Sequence, residues 1–305
     1  AAFFKRTIKS GRSFICRQGK GQCEFRKHER FTCRSCRFDR CVEIGMTCGV
    51  EESILDRVKR EYTLSVNRRL KHELRIARDL NLKKYSYEED LFMCNINFFY
   101  RIYSIIFKEL TVILRCVIPR FDELPLQLRG SLCKNLIGKF NALEYYYRSQ
   151  SKFKQMDGVC LCSLITVFDI ESLEEWVEVD GVTRKEDFKE SMRSFADDYM
   201  EIFNRIIRTF DITEKEFHAM IVILVCQLET TISLPDSIQH EIDDTRAKIF
   251  VELQSYYRDE LGLIDFSSRL GRVMSLSTAF SELHRNSEDQ LRLYSTIFDI
   301  RSQDQ

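Results

Sequence analysis

The 305-residue sequence predicts a mainly α-helical protein in which a small cysteine-rich module precedes a larger helical body. Only 3 prolines and 11 glycines interrupt the chain, too few breakers for a many-stranded β sandwich, and a hydrophobic content of 44% excludes a disordered tail. Six of the 12 cysteines fall between residues 16 and 48, and the others are scattered through helical-looking sequence. The first residues are typical of the middle of a helix and no initiator Met precedes them, so we expect a fragment.

Charge divides the chain more sharply than its total suggests. The whole sequence is neutral, with 47 basic and 47 acidic residues. Residues 1–48 nevertheless hold 12 lysines and arginines against 4 acids, and residues 49–84 hold 10 against 6, so these 84 residues carry +12 and the rest −12. This asymmetry predicts that the front of the chain meets a polyanion. No apolar run reaches the roughly 20 residues of a membrane span, so no membrane partner is expected.

The first group of cysteines has the spacing of a metal site. Its order is C-x6-C-x9-C-x2-C-x4-C among basic residues, and without a sign of a secretory leader we do not expect a disulfide framework. Four thiolates around one tetrahedral zinc ion form a closed structural site, and a C-x2-C pair reaches one ion from a single turn. We therefore predict zinc as a cofactor, and the ligand set is Cys16, Cys23, Cys33 and Cys36. The scattered cysteines are interpreted as core residues.

Cations surround this ligand set. Arg34, Arg37 and Arg40 would lie along one side of a helix that begins near Cys33, which suits contact with phosphates. Residues 1–8 offer two phenylalanines for a small core and then two cations, the pattern of a helix that packs on one face and touches DNA with the other. These features favour double-stranded DNA as a partner over a merely solvated charged face.

The cysteine motifs resemble those of a known family. The run Cys33-Arg-Ser-Cys36-Arg-Phe-Asp-Arg-Cys41-Val-Glu-Ile-Gly45-Met46 resembles the end of a nuclear hormone receptor DNA-binding domain, and Ala-Ala-Phe-Phe-Lys-Arg resembles its recognition helix. The paired alanines and the x6 gap are most similar to the nematode-type branch. The resemblance implies two zinc modules, of which the first would end immediately before Ala1 and is missing from the N-terminus.

The resemblance also assigns residues. The four cysteines named above match the ligands of the family's second zinc module, whereas Cys41 matches one that does not bind the metal. The matching DNA-binding positions are Lys5, Arg6, Lys27, Arg30 and Arg37.

The domains are predicted as a partial DNA-binding domain over residues 1–48, a hinge over 49–84 and a helical ligand-binding domain over 85–305. Charges alternate with leucines at helical spacing in the hinge, so a solvated helix is expected there. Its cluster Arg68-Arg69-Lys71 leaves two interpretations open: a plain solvated hinge, or an extended phosphate contact or nuclear import signal.

From residue 85 onward, segments of helical length alternate with short breaks. The predicted helices are Glu88 to Val117, Leu126 to Gln150, Lys185 to Phe210, Glu214 to Ile232, Asp236 to Gly262, and Phe266 to Asn286. Thr213 and Glu216 have capping-box spacing, which fixes the start of one helix. Residues 159–182 are rich in β-branched side chains and flanked by glycines, so a small β hairpin is expected among the helices.

An enzyme is not predicted, because the sequence contains no G-x-S-x-G, H-E-x-x-H, P-loop or G-x-G-x-x-G motif and its 5 histidines are isolated. The resemblance implies instead an α-helical sandwich ligand-binding domain with a coactivator groove. Ile118 to Leu124 resembles the stretch joining the family's third and fourth helices. Arg269 to Val273 resembles the start of the dimerisation helix, and Ile297 to Ile300 resembles the terminal activation helix. Arg115 and Asp299 are assigned to the coactivator groove.

Two functional hypotheses remain open. The first is a ligand-responsive, sequence-specific DNA-binding transcription factor that regulates RNA polymerase II transcription in the nucleus. Its partners would be coregulator proteins and, as a homo- or heterodimer, another nuclear receptor. The alternative is a truncated receptor that acts only through dimerisation or coregulator binding. Ligand-binding residues are unknown, since apolar helix faces such as those of Phe98 and Leu224 predict either a solid core or a cavity for a lipophilic small molecule.

Overall fold

The computed structural model describes residues 2–10, 14–16, 23, 33–44, 46, 52–176, 185–230 and 232–297. Within these ranges we number helices and strands in chain order. The helices are α1 (Ala2–Ser10), α2 (Arg34–Glu43), α3 (Ile54–Asp79), α4 (Ile96–Val117), α5 (Leu126–Ser149), α6 (Leu173–Trp176), α7 (Lys185–Thr209), α8 (Glu214–Cys226), α9 (Asp236–Ser255) and α10 (Ser267–Ile297). The strands are β1 (Lys84–Tyr85), β2 (Glu88–Met93), β3 (Val159–Leu161) and β4 (Thr166–Asp169).

The helices from α3 onward pack in three layers, which confirms the predicted helical sandwich. Helices α3 and α4 form one outer layer and α7 and α10 the other, while α5 and α8 lie between them and α9 packs against α8 and α3. The central α8 is buried from Glu216 to Cys226, as expected for a helix that is apolar on every side. We call α3–α10 with the four strands the helical body, and α1, α2 and the cysteines near them the zinc module.

A four-stranded sheet lies at one end of the helical body, in the order β1-β2-β4-β3. Strands β3 and β4 form the hairpin that the β-branched residues predict, and they occupy only its first half. Residues 170–176 are helical, as a 3-10 turn over Ile170–Ser172 followed by α6, so the predicted β segment is too long, and residues 177–182 lie outside the described residues. The other two strands were not predicted.

The predicted helix from Glu88 to Val117 is wrong in its first third. Residues 88–93 form β2, which pairs in parallel with β4, Phe92 opposite Thr166. The helix begins only after Asn95, whose side chain accepts a hydrogen bond from Phe98 N at 2.8 Å and so caps α4. A cap within a long apolar stretch ends the strand and starts the helix.

The other predicted helices are present, but α8 ends at Cys226, six residues before the predicted end, and α10 extends eleven residues beyond its predicted end. The capping box is confirmed, because Thr213 and Glu216 each accept a hydrogen bond from the other's backbone N–H. Helix α9 is followed by a π-helical turn over Tyr256–Glu260, and α10 continues to Ile297. That helix therefore runs into the predicted activation segment, of which residues 298–300 lie outside the described residues.

Close packing fixes α10 on α5. A Cβ atom added at Gly138 would lie 1.9 Å from Nδ1 of His284, so the absence of a side chain at this position is what lets the two helices approach. Gly130, near the other end of the same helix, has no atom within 4 Å of the corresponding point.

Helix α3 is a packed helix, so the prediction of a solvated helix in the hinge is wrong. Its residues Val58 and Val66 are buried in the helical body, and its N-terminal N–H groups are held by Glu252 of α9, which accepts from Ile54 and Leu55 at 3.1 and 3.3 Å. Helix α3 thus packs with the helical body, and the predicted domain bounds stay a prediction.

A buried ionic network joins α3 to α5. Arg69, which has no exposed surface, donates to both carboxylate oxygens of Glu144 at 2.9 and 2.8 Å and reaches Glu73 at 3.4 Å. Tyr62 also donates to Glu144, at 2.9 Å. Burial alone would raise the pKa of the Glu144 carboxyl, but the adjacent Arg69 guanidinium outweighs it and holds that pKa below its usual range.

The three hinge cations pair with carboxylates of the protein itself. Arg68 donates to Glu109 of α4, Arg69 is buried as described, and Lys71 pairs with Asp39 of α2.

No helix within the described residues is long and apolar enough to cross a membrane.

Candidate zinc centre and nucleic-acid interface

The four predicted zinc ligands converge. Their Sγ atoms all lie within 4.8 Å of one another, and Sγ of Cys16 is 3.6 Å from that of Cys23 and 3.6 Å from that of Cys36. A tetrahedron with Zn–S bonds of about 2.3 Å has sulfur–sulfur edges of roughly 3.8 Å, so this spacing fits a zinc ion. The sulfurs are too far apart for disulfides, whose S–S bond is about 2.0 Å.

Helix α2 places two of these ligands. Cys33 precedes the helix and Cys36 lies in its first turn, where Arg37 N donates to Cys33 O at 2.9 Å and closes the turn. The C-x2-C pair therefore presents two sulfurs to one point. Cys41, five residues further on, is half-buried and lies outside the sulfur group.

Burial opposes ionisation of the sulfur group. It raises the pKa of the Cys36 thiol to about 12, and burial together with a hydrogen bond between Cys16 and Cys23 raises the pKa of Cys23. A divalent ion reverses this preference, because thiolates rather than thiols ligate zinc. When bound, zinc would be held by Cys16, Cys23, Cys33 and Cys36 and would supply a structural cross-link.

A small aromatic core orients the two helices of the module. Phe4 of α1 and Phe38 of α2 are buried and stack with ring centroids 5.5 Å apart. Beside them the guanidinium of Arg37 lies over the ring of Phe3, 4.5 Å from its centroid. This contact holds Arg37 at the surface in a defined direction.

The predicted DNA-binding residues fall into two groups. Lys5 and Arg6 are exposed on α1, on the side away from buried Phe4, and Arg37 is exposed on α2. Lys27 and Arg30 lie outside the described residues. The described cations are thus exposed on the two helices of the module, as contact with phosphates requires.

One of the two predicted coactivator residues, Arg115, lies among the described residues. Arg115 is exposed near the end of α4, and its Nε donates to both carboxylate oxygens of Asp122 at 2.9 and 3.0 Å. Asp299 lies outside the described residues. A groove that uses these two residues therefore stays a prediction.

The structure shows an open pocket that sequence reasoning missed. It has a volume of about 410 Å³ and lies between α4 and α5. Its lining residues are Tyr103, Ser104, Phe107, Lys108 and Lys134. The spacing of Tyr103 and Phe107, four residues apart on one helix face, was the available signal, but nothing local pointed to Lys134.

The apolar residues considered for a ligand cavity are packed. Phe98, Ile102 and Ile106 of α4, with Leu224 and Val225 of α8, are fully or almost fully buried in one continuous core. Tyr147 of α5 stacks on Phe217 of α8 with centroids 4.2 Å apart in the same core.

A buried histidine in this core was also missed as a special residue. His218 of α8 packs edge-on against Tyr62, with ring centroids 5.6 Å apart, and its Nε2 has no hydrogen-bond partner among the described residues. Burial lowers the pKa of His218 to about 3.

A zinc module with an exposed cationic face, attached to a helical sandwich, defines a zinc-finger DNA-binding protein with a regulatory domain. Comparison with known proteins agrees at both ends. Residues 1–48 match the double treble clef zinc finger of C4 type, and residues 69–297 match the ligand-binding domain of nuclear hormone receptors. The second match covers more than half of the chain. The chain therefore belongs to the nuclear hormone receptor family, and its two domains are those of a transcription factor.

Relatives in Caenorhabditis elegans support this assignment. Nuclear hormone receptor family member nhr-53 is 24% identical over 292 residues, 90% of this chain and 78% of that protein. Family member nhr-3 is 48% identical over 44 residues, 14% of this chain and 9% of its own length. Family member nhr-86 is 43% identical over 53 residues, 17% of this chain and 13% of its own length.

Proposed function

We propose that this receptor binds DNA in a sequence-specific manner and regulates RNA polymerase II transcription in the nucleus, without catalysing a reaction. The observation that supports this most is the pairing of a buried face and a cationic face on one short helix. Phe4 anchors α1 in the module, and the next two residues, Lys5 and Arg6, are exposed. Exposed cations on a rigid helix suit both phosphate and base-edge contacts.

Selection from a randomised duplex library, followed by titration of the selected duplex with the protein, tests this function. We expect binding that survives competitor DNA. Replacing Lys5 and Arg6 together by Ala should reduce the salt slope by about 0.9 for each phosphate that the protein no longer neutralises. The matched control replaces Arg205 and Lys248, two exposed cations of the helical body, and should leave the slope unchanged. Binding with no sequence preference would instead favour a receptor that acts only through protein contacts.

The helical body supports a ligand-responsive role, which is part of the same proposal. Tyr145 of α5 is buried, and its hydroxyl has no hydrogen-bond partner among the described residues. Tyr199 of α7 and Cys162 lie near enough to influence its ionisation. A polar atom buried without a partner suits a lipophilic ligand that carries one polar group.

Mass spectrometry of the denatured, freshly purified protein tests for such a ligand. We expect a copurified hydrophobic molecule of about fatty-acid size, and its addition should raise the melting temperature because it binds only the folded state. Tyr145→Phe should weaken that shift. No copurified molecule, together with no thermal shift across a lipid panel, would show that the receptor works without a ligand.

The open pocket between α4 and α5 favours a second candidate function, the binding of a coregulator helix. Tyr103 and Phe107 supply apolar surface and Lys108 and Lys134 supply positive charge, which suits an amphipathic helix with acidic residues at its edge. A fluorescent peptide of this kind should bind, and Lys108→Glu with Lys134→Glu should abolish binding. Arg115→Glu is the control. If this variant alone lost binding, the coregulator helix would bind at the groove predicted around Arg115 instead of at the open pocket.

A further inference from the structure

Helix α3 has two buried faces on opposite sides. One contains Val58, Val66 and Ile76 and packs in the helical body. The other contains Leu64, Asn67 and Lys71, whose spacing of three and then four residues places them in one stripe along the helix. We call these three residues the module-facing stripe.

Each residue of the module-facing stripe contacts a different part of the zinc module. Leu64 is buried with Phe4 and Phe38 in a cluster separate from the main core of the helical body. Asn67 accepts a hydrogen bond from Phe14 N at 2.8 Å, two residues before the zinc ligand Cys16. These contacts reach α1, α2 and the segment that leads into the metal site.

Two further interactions define the geometry of the stripe. The Asn67 side chain donates to Thr63 O at 3.0 Å, which fixes its amide and directs the carbonyl oxygen at the module. Lys71 forms an ion pair with Asp39 of α2. The stripe is thus complementary to the surface of the zinc module in three ways: by an apolar contact, a hydrogen bond and an ion pair.

The zinc module needs this surface because its own core is small. Among its described residues, the buried apolar side chains other than cysteine are Phe4 and Phe38. A module of this size gains too little from apolar burial to hold its fold and depends on additional fastening. Zinc is one fastening, and Leu64 supplies the third member of the core from outside the module.

We propose that the module-facing stripe is an intramolecular docking site on which the zinc module completes its core, so that zinc affinity and the order of α1 depend on the helical body. Metal binding and folding of such a module are linked, so docking contacts add to the apparent zinc affinity. The linkage is reciprocal, so a ligand that shifts α3 changes the module as well. Lys5 and Arg6 remain exposed.

Zinc titration of the full chain against a chromophoric chelator tests the docking site. The variant carries Leu64→Ala and Asn67→Ala, and its zinc affinity should fall at least about tenfold. Its helical body should keep its melting temperature, because Leu64 lies outside the main core. The control carries Arg75→Ala and Arg78→Ala, exposed residues of the same helix, and should bind zinc like the wild type.

A charge exchange gives an independent readout. Lys71→Glu should weaken zinc binding and speed hydrogen exchange in α1, and adding Asp39→Lys should restore both, whereas Arg75→Glu should change neither. Zinc affinity of the double Ala variant within about twofold of the wild type, or no rescue by the charge exchange, would overturn the docking site. If the double Ala variant fails to fold, the charge exchange decides alone.

Discussion

The zinc module and the helical body are stabilised in different ways. The module's described core holds two buried phenylalanines beside its cysteines, and its cross-link is a metal site. The helical body holds a large apolar cluster that runs from Ile54 to Leu283, a smaller one at the sheet, and a buried ionic network around Arg69. Fold stability therefore depends on an external ion in the first region, and on packing and internal charge pairing in the second. The predictions below test this contrast.

The largest effect is expected from removing zinc. Structural zinc sites contribute about 10–16 kcal/mol to folding of small modules, so chelation should remove the order of α1 and α2 while most of the helical body's unfolding transition persists. Elemental analysis should find one zinc per chain. Cys36→Ser should lose it, and Cys41→Ser should keep it. A second zinc ion, or an ordered module without zinc, would contradict the assignment.

The next effect is expected at the buried ionic network. Glu144→Gln leaves Arg69 as a buried cation with a weaker partner, and the free energy of unfolding should fall by about 3–5 kcal/mol. Urea denaturation followed by circular dichroism measures this. The control is Glu109→Gln, whose partner Arg68 is more than one-third exposed, and which should cost less than about 1 kcal/mol. If both variants lost the same free energy of unfolding, burial would not determine how much the Arg69–Glu144 ion pair contributes to stability.

Packing of α10 on α5 is tested by a smaller change. Gly138→Ala places a Cβ atom against His284 and should cost about 1–3 kcal/mol through overpacking. Gly130→Ala, in the same helix but with open space around it, should instead stabilise by up to about 1 kcal/mol. Adding His284→Ala should relieve the Gly138→Ala defect. A stable Gly138→Ala protein would show that the two helices separate at little cost.

The smallest effect concerns pH. The pKa of His218 is lowered to about 3 in the folded protein, against about 6.5 in the unfolded chain, so only the unfolded chain binds this proton in between. The buried neutral imidazole therefore costs no stability above about pH 6.5. As the pH falls below that value, the free energy of unfolding decreases, by about 1 kcal/mol over the first pH unit.

Urea denaturation at several pH values measures this dependence. His218→Leu should flatten the curve between pH 5 and 6.5, whereas His72→Leu, at an exposed site, should change it much less. Unchanged curves for His218→Leu would show that the buried imidazole is not the titrating group.

Features set by neighbouring residues could be predicted from the sequence. The capping box at Thr213 and Glu216 is a three-residue signal, and the C-x2-C spacing defines a turn that holds two ligands. Strand β2 was mistaken for helix because its structure depends on pairing with Thr166 and Val167, more than 70 residues away. Local propensity does not report such pairing.

The same distinction explains the missed features of α3. Arg69 belongs to a run of three cations, which in sequence indicates a solvated surface, and its partner Glu144 lies 75 residues further on. Nothing local shows that a carboxylate at that distance in the chain is a neighbour in space. The role of Leu64 depends likewise on two phenylalanines from another part of the chain.

The anchored start of α3 limits the reach of the zinc module. Met46 packs against the module's core, and Glu252 holds the N–H groups of Ile54 and Leu55, so both ends of the connection are fixed. Six residue steps separate Met46 from Glu52, a span of at most about 20 Å. So short a tether keeps the effective concentration of the module at α3 in roughly the millimolar range.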